Sequence, residues 1–140
     1  MNSKIIPAEI AAQIPRRTDT DILELVSSLV GAAIRRQVWL MFFDGNECPM
    51  PLLVPYADLD VDPSEEEIAT YTALACGIAG TTGAASIVLT WEREGGSALD
   101  DAERRLLREI SAGIAAGGVT VRGVFLSHSH GVAHVSEESS

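Results

Sequence analysis

The chain has 140 residues, of which 46% are hydrophobic and 21% charged, as expected of one globular domain with its own core. Twenty acidic against ten basic residues give a net charge of −10, which argues against a nucleic-acid-binding surface. No apolar run reaches the roughly 18 residues of a membrane span, and the start lacks the apolar core of a signal peptide. Cys48 and Cys76 match no metal-ligand spacing. We therefore expect a cytoplasmic protein without membrane or nucleic-acid partners and without a cofactor.

The first part of the chain predicts an arm followed by a helix. Residues 1–17 contain two prolines and predict an arm laid on the domain. Thr18 or Asp19 can cap a helix that continues through residue 34, with Arg35 and Arg36 in its last turn. Its buried face has the three-and-four spacing of an amphipathic helix and comprises Ile22, Leu25, Val26, Leu29, Val30, Ala33 and Ile34.

A hairpin and a second helix come next. The apolar run 38–43, the turn 44–46 and the apolar run 52–54 predict two strands, the second short because prolines flank it. Ser64 and Glu67 form a capping box for a helix that ends at Gly80 or Gly83. The predicted buried face of that helix comprises Ile68, Tyr71, Leu74, Ala75 and Ile78.

The remaining chain predicts a strand, a helix and two strands. The strands cover residues 86–91 and 119–127 and a last segment ending at Val135, and residues 137–140 form a frayed tail. The helix between them is capped by Asp100 or Asp101 and stopped by the glycine pair 117–118, with Ala102, Leu106, Ile110 and Ile114 facing inward. Residues 18–136 are therefore one α/β domain, a mixed β-sheet with helices on its faces.

Several segments of this layout resemble the JAB/JAMM domain family, in particular its RadC-like branch. Residues 36–44 resemble that family's first strand, residues 83–91 the strand that leads into its metal loop, and residues 119–135 its closing strands. Gly96 and Asp100 fall at its loop glycine and serine. The resemblance covers residues 18–136 and implies a three-layer, cytidine-deaminase-like arrangement.

The resemblance also locates the positions of the family's metal site. There a His-x-His pair and an aspartate bind zinc, and a nearby glutamate handles the metal-bound water. By position the two histidines correspond to Trp91 and Arg93, the aspartate to Glu103 and the glutamate to Gln37. Tryptophan and arginine cannot bind zinc, so the resemblance implies that the family's hydrolytic chemistry is lost.

Carboxylates crowd the loop after the 86–91 strand and offer a second hypothesis. Glu92, Asp100 and Glu103 lie where ligands of open α/β sheets bind, and paired carboxylates with separated pKa values perform acid–base catalysis. The alternative interpretation is structural: acidic residues cap the first turn of a helix and pair with neighbouring arginines.

Three histidines near the end of the chain offer a third hypothesis. His128 and His130 alternate along a strand and share a face, and a turn at Gly131 could return His134 opposite them. Such a cluster would suit a metal ion. The alternative is a polar hairpin tip with exposed imidazoles.

These features give one leading hypothesis and two alternatives. The leading one is a catalytically degenerate JAB/RadC-like domain that acts as a binding or regulatory module, with a protein partner or a second copy of itself. The alternatives are a hydrolase-type enzyme that uses the 92–103 carboxylates and a metal-binding protein that uses the histidines.

Overall fold

The computed structural model describes residue 16, residues 18–57 and residues 63–135. Of the predicted arm (1–17), only Arg16 is described, and the predicted tail (137–140) lies outside the described residues. The described elements are the helices α1 (Asp19–Leu29), α2 (Glu65–Thr82) and α3 (Asp101–Ala116) and the strands β1 (Gln37–Phe43), β2 (Pro49–Tyr56), β3 (Ser86–Glu92), β4 (Thr120–His128) and β5 (Gly131–His134). The predicted element order and the mixed α/β class are confirmed.

The five strands form one sheet in the order β2-β1-β3-β4-β5. β1 is antiparallel to both β2 and β3, β3 is parallel to β4, and β4 is antiparallel to β5. The parallel pair arises because α3 carries the chain back across the sheet between β3 and β4. β3 is central and buried along its whole length.

The two faces of the sheet bury different residues. Alternate side chains of β1 and β3 face α2 and α3, in the core that contains Phe42, Leu89 and Trp91. The side chains between them face α1 and include Met41 and Val88. Helices therefore cover both faces, and none of the described helices is both long and apolar enough to cross a membrane.

Each of the three described helices begins with a reciprocal capping box, which satisfies backbone donors that helix starts leave free. The pairs are Thr18 with Asp21, Ser64 with Glu67 and Asp100 with Glu103. At its other end α2 stops at Gly83, whose φ of 80° favours glycine. The caps predicted from the sequence are confirmed.

The predicted length of the first helix is wrong. α1 ends at Leu29, before Gly31, whose φ of 72° leaves the helical region. The backbone N–H of Ala33 donates to the carbonyl of His128 at 2.8 Å, so the chain is drawn to β4 instead of continuing the helix. Ile34 is 78% exposed and not part of a buried face.

Three smaller predictions also need correction. Leu74 is 46% exposed, whereas Ala79 of the same helix is buried, because α2 contacts its neighbours along a slightly rotated face. Ala102 is exposed and Leu107 is buried instead. β2 is longer than predicted, since it is an edge strand of the sheet, where prolines are tolerated.

Candidate functional site

Two buried glutamates lie on opposite faces of the sheet at the carboxyl end of β3: Glu92 of the strand itself and Glu103 of α3. Glu92 is the last residue of the strand and pairs in register with Gln37 of β1. Trp91, one residue earlier, points to the other face, where it meets Glu103 of α3. Two separate polar clusters therefore lie back to back at this edge.

Trp91, Arg93 and Glu103, here called the Glu103 cluster, converge on one carboxylate. The Nε1 of Trp91 and the Nε of Arg93 each donate to Oε2 of Glu103 at 2.7 Å. Oε1 accepts the Asp100 backbone N–H at 3.0 Å and the Arg93 Nη2 at 3.3 Å. Both carboxylate oxygens are fully engaged within the protein.

The guanidinium of Arg93 also holds the loop that connects β3 to α3. Besides Glu103, it donates to the carbonyl oxygens of Gly96 and Ala98. Gly95 has a φ of 127°, a conformation that favours glycine, and lies against this side chain. The side chain of Arg93 thus connects the end of β3, the loop after it and the first turn of α3.

The ionisation of Glu103 follows from these contacts. Burial by itself raises the pKa of a carboxyl group, but the hydrogen bonds from Arg93, Trp91 and Asp100 and the positive charge of Arg93 outweigh it, so the pKa of Glu103 lies below its ordinary value of 4.5. Glu103 is therefore an ionised acceptor near neutral pH. A general acid needs the opposite shift.

Glu92 has the same character on the other face. Its Oε1 accepts the Nε2 of Gln37 at 2.8 Å and the Nε1 of Trp39 at 2.7 Å. Its Oε2 accepts the backbone N–H groups of Ile34 at 2.7 Å and Arg35 at 3.3 Å. Burial raises the pKa of Glu92, but these donors outweigh burial and hold the pKa below its ordinary value.

Sequence reasoning singled out Glu92 but missed its partners. Gln37 occupies the position matched to the family's glutamate, yet its side chain bonds Glu92, on the opposite face of the sheet from Glu103. Trp39 lies 53 residues from Glu92 along the chain, and no local pattern connects them.

The sequence left two roles open for Asp100, acid–base catalysis and helix capping, and the structure shows it as a helix cap. Its side chain accepts the N–H of Glu103 at 2.8 Å and caps α3. With Glu103 it completes a capping box, and the pKa values of Glu92 and Glu103 are shifted in the opposite direction from the one that a general acid needs.

A shallow cleft of about 520 Å³ opens beside the Glu103 cluster. Its walls include Arg93 and the exposed residues Glu94, Gly96, Arg35 and Arg36. The side chains of Arg35 and Arg36 make no ion pair with any residue that the structure describes. The rim of the cleft therefore carries two exposed arginines together with the exposed carboxylates of Glu94 and Asp100.

The structure does not bring the three histidines together. The rings of His128 and His130 lie 6.5 Å apart, whereas His134 pairs in register with Phe125 and packs edge-on against its ring. The Nε2 of His134 lies 3.9 Å from Asp19. Within the described ranges no group of three or more His, Cys, Asp or Glu side chains could hold a metal ion.

Fold and site together define an α/β domain with a five-stranded mixed sheet and a buried Arg93–Glu103 ion pair beside the carboxyl end of β3. No protein-family model matches the sequence, and no curated protein shows significant similarity to it.

Proposed function

We propose that this chain is a non-catalytic binding module, a JAB/RadC-like domain in which an internal ion pair has replaced the catalytic metal. The observation that carries the proposal is the convergence of Trp91 and Arg93 on one oxygen of Glu103, each at 2.7 Å. These are the three positions that the sequence resemblance matches to the family's zinc ligands. Their meeting at one point supports that correspondence.

The chemistry of the cluster explains why a metal would no longer be needed there. In a zinc site the cation holds a carboxylate and two neutral nitrogen ligands together. Here the guanidinium supplies the positive charge and two of the bonds to Glu103, and the indole N–H supplies another. Arginine offers no lone pair to a metal and repels it.

The binding role is supported by what remains accessible at this edge. Glu92 and Glu103 have no free oxygen, whereas the cleft beside them exposes Arg35 and Arg36. The two arginines offer N–H donors to a carboxylate or phosphate group of a ligand, and Glu94 and Asp100 offer acceptors on the same rim. The three-layer JAB/JAMM arrangement is part of the same proposal, which the helices on both faces of the sheet support.

Metal analysis of designed variants tests the proposal. Purified wild-type protein incubated with zinc and dialysed should retain none in stoichiometric amount. The triple variant Trp91→His, Arg93→His, Glu103→Asp should retain about one zinc per chain, because it places two imidazoles and a carboxylate where the three side chains now meet.

The matched control is Trp91→Phe, Arg93→Gln, Glu103→Gln, which removes the cluster without adding ligands and should retain no zinc. Circular dichroism establishes that each variant is folded. Stoichiometric zinc in the wild type would overturn the proposal. A folded triple variant that takes up no more zinc than its control would remove the correspondence with the family's metal site.

A further inference from the structure

One side of α2 and one row of the edge strand β2 form a continuous apolar surface. Tyr71, Leu74 and Ile78 follow one another at three- and four-residue spacing and therefore share a side of the helix. The ring of Tyr71 lies 5.0 Å from that of Tyr56, so this side faces β2. Alternate residues of β2 pack against the same core and are half-buried: Met50, Leu52, Val54 and Tyr56. Together with Leu74 and Ile78 they are called the α2–β2 strip.

The α2–β2 strip leaves apolar surface in contact with water. Leu74 is 46% exposed and, with Ile34, is one of the two large hydrophobic side chains that are exposed among the described residues. Ile78 and the row on β2 are half-buried beside it. Single exposed apolar side chains are ordinary on a protein surface, but an apolar row shared by two neighbouring elements is typical of an interaction surface.

Charge is missing from most of the exposed surface of α2. After Glu67 the helix contains no charged residue up to its end at Thr82, although Ala73 and Gly77 are also exposed. The outer face of a solvated helix normally carries charged side chains, and the chain as a whole has a net charge of −10. A partner recognised by its charge would find no counterpart on this part of the helix. The occupant that suits the strip is therefore another apolar surface.

The prolines of β2 disfavour pairing with a further strand at this edge of the sheet. Pro49, Pro51 and Pro55 have no backbone N–H, and a proline in an edge strand is tolerated where the missing donor points away from the paired strand. The outer edge of β2 therefore lacks donors that an added strand would need. An occupant contacts the side chains of the strip instead of the backbone of β2.

A second copy of the chain meets these requirements through a two-fold axis near Leu74. Leu74 lies at the middle of α2, so two α2 helices that cross antiparallel at this point bring the two leucines together and set one strip against the other. The acidic first turn, Glu65 to Glu67, lies about 12 Å along the helix from Leu74. The acidic turns of the two copies then lie on opposite sides of the axis, roughly 24 Å apart and beyond the Debye length of about 8 Å. Like charges of the two copies are thereby kept apart.

The strip is also large enough for a specific interface. α2 has 18 residues and is about 27 Å long, and the eight residues of β2 extend over about 26 Å. A helix diameter of about 10 Å and one strand spacing of about 4.8 Å make the strip about 15 Å wide. With the side chains that project from this outline, the strip reaches the lower limit of about 600 Å² per copy that specific complexes bury. We therefore expect a dissociation constant in the micromolar range.

We propose that the α2–β2 strip is the interface of a homodimer, in which α2 and β2 of two copies pack face to face about a two-fold axis near Leu74. The dimer goes beyond the proposed role as a binding module and does not depend on it. No residue of the strip belongs to the Glu103 cluster or lines the cleft beside it. Zinc uptake by the triple variant and dimerisation can therefore fail separately.

Sedimentation velocity of the full chain over a range of about 1–200 µM tests the proposal. The wild type should change from monomer to dimer with a dissociation constant of about 1–50 µM. Raising sodium chloride from about 50 to 500 mM should tighten the dimer about three-fold or more, because salt screens the repulsion between two chains of net charge −10 and the strip itself has no charge to be screened. An interface made of ion pairs would weaken instead.

Substitution of Leu74 locates the interface. Leu74→Glu should weaken the dimer at least about 30-fold, because it removes an apolar contact from each copy and sets two carboxylates against each other at the axis. Ile34→Glu is the matched control, since it removes the other exposed large hydrophobic side chain and adds the same charge. It should change the dissociation constant by less than about two-fold. Circular dichroism establishes that both variants are folded.

A cross-linking experiment tests the position of the axis without adding charge. Under mild oxidation Leu74→Cys should form a disulfide-linked dimer, because a two-fold axis near this position brings the two β-carbons within the roughly 4 Å that a disulfide requires. The wild type, in which Cys48 and Cys76 are free, and Ile34→Cys are the controls and should remain unlinked.

Several results would overturn the proposal. A wild type that stays monomeric throughout the concentration range has no such interface. A dimer that persists in folded Leu74→Glu, or that leaves Leu74→Cys unlinked, uses another surface, and a dimer that salt weakens is held by charge. Dimerisation only after residues 1–15 are removed would make that segment of the chain the occupant of the strip instead of a second copy.

Discussion

Arg93 donates from its Nε to Oε2 of Glu103 across 2.7 Å, and the two side chains are only 13% and 7% exposed. Removing one partner of such a pair leaves the other charge buried without compensation, which costs more than the pair itself contributes. The pair also fixes the loop between β3 and α3 through the carbonyls of Gly96 and Ala98. The contribution of this ion pair to the free energy of unfolding can therefore be measured with single substitutions.

Replacing Arg93 is expected to destabilise the fold strongly. Arg93→Gln should lower the free energy of unfolding by about 2–4 kcal/mol, because Glu103 keeps its charge but loses its cation. The matched control is Arg105→Gln, whose pair with Glu109 is exposed and should contribute less than about 1 kcal/mol. Urea denaturation measures both values, and equal losses would contradict a buried role for the Arg93–Glu103 pair.

Acid should weaken the contribution of Glu92. Because the pKa of Glu92 is lowered in the folded state, its stabilisation is fully present above the ordinary value of 4.5 and is lost as pH falls through the folded-state pKa. The stability difference between the wild type and Glu92→Gln should thus be largest near neutral pH and shrink below about pH 4.5. Urea denaturation at a series of pH values measures it, and a constant difference would show that the carboxylate is not preferentially ionised in the folded state.

Close packing of α2 and α3 makes Gly113 sensitive to a single methyl group. A Cβ at this position would lie 2.7 Å from Cγ2 of Thr72, so Gly113→Ala should lower the free energy of unfolding by about 1–2 kcal/mol despite the better helix propensity of alanine. Gly77 lies on α2 with open space around it, and Gly77→Ala should instead raise stability by about 0.5–1 kcal/mol. Thermal denaturation compares the two variants. Stabilisation by both would mean that the helices are farther apart at Gly113.

The hydroxyl of Thr90 is expected to be a net cost to the fold. Thr90 is fully buried on β3, and its Oγ1 has no hydrogen-bond partner among the residues that the structure describes. Thr90→Val keeps the shape and removes the unsatisfied group, so the free energy of unfolding should rise by about 1 kcal/mol. A clear loss of stability in urea denaturation would indicate that the hydroxyl has a partner after all.

The sequence alone determined the elements whose signals are local. The capping box of Ser64 and Glu67 places the start of α2, because a short side chain and a carboxylate three residues later satisfy each other's backbone donors. For α3 the sequence left Asp100 and Asp101 as alternative caps, and the structure shows Asp100. Runs of apolar residues placed the strands, and their alternation with helices predicted the mixed sheet. The family resemblance singled out Trp91, Arg93 and Glu103, which lie within 12 residues of one another along the chain.

Tertiary structure decided what depends on distant parts of the chain. α1 stops at Leu29 because Ala33 bonds the carbonyl of His128, a contact that no local pattern could indicate. Glu92 is an ionised structural acceptor because Gln37 and Trp39, 55 and 53 residues away, lie beside it on the neighbouring strand. A groove between α3 and β4 depends on two elements that are distant in sequence from each other's contacts, since β5 pairs only with Phe125–His128 of β4. Periodicity places side chains on a face, but only the packed sheet brings charges on separate elements within reach of one another.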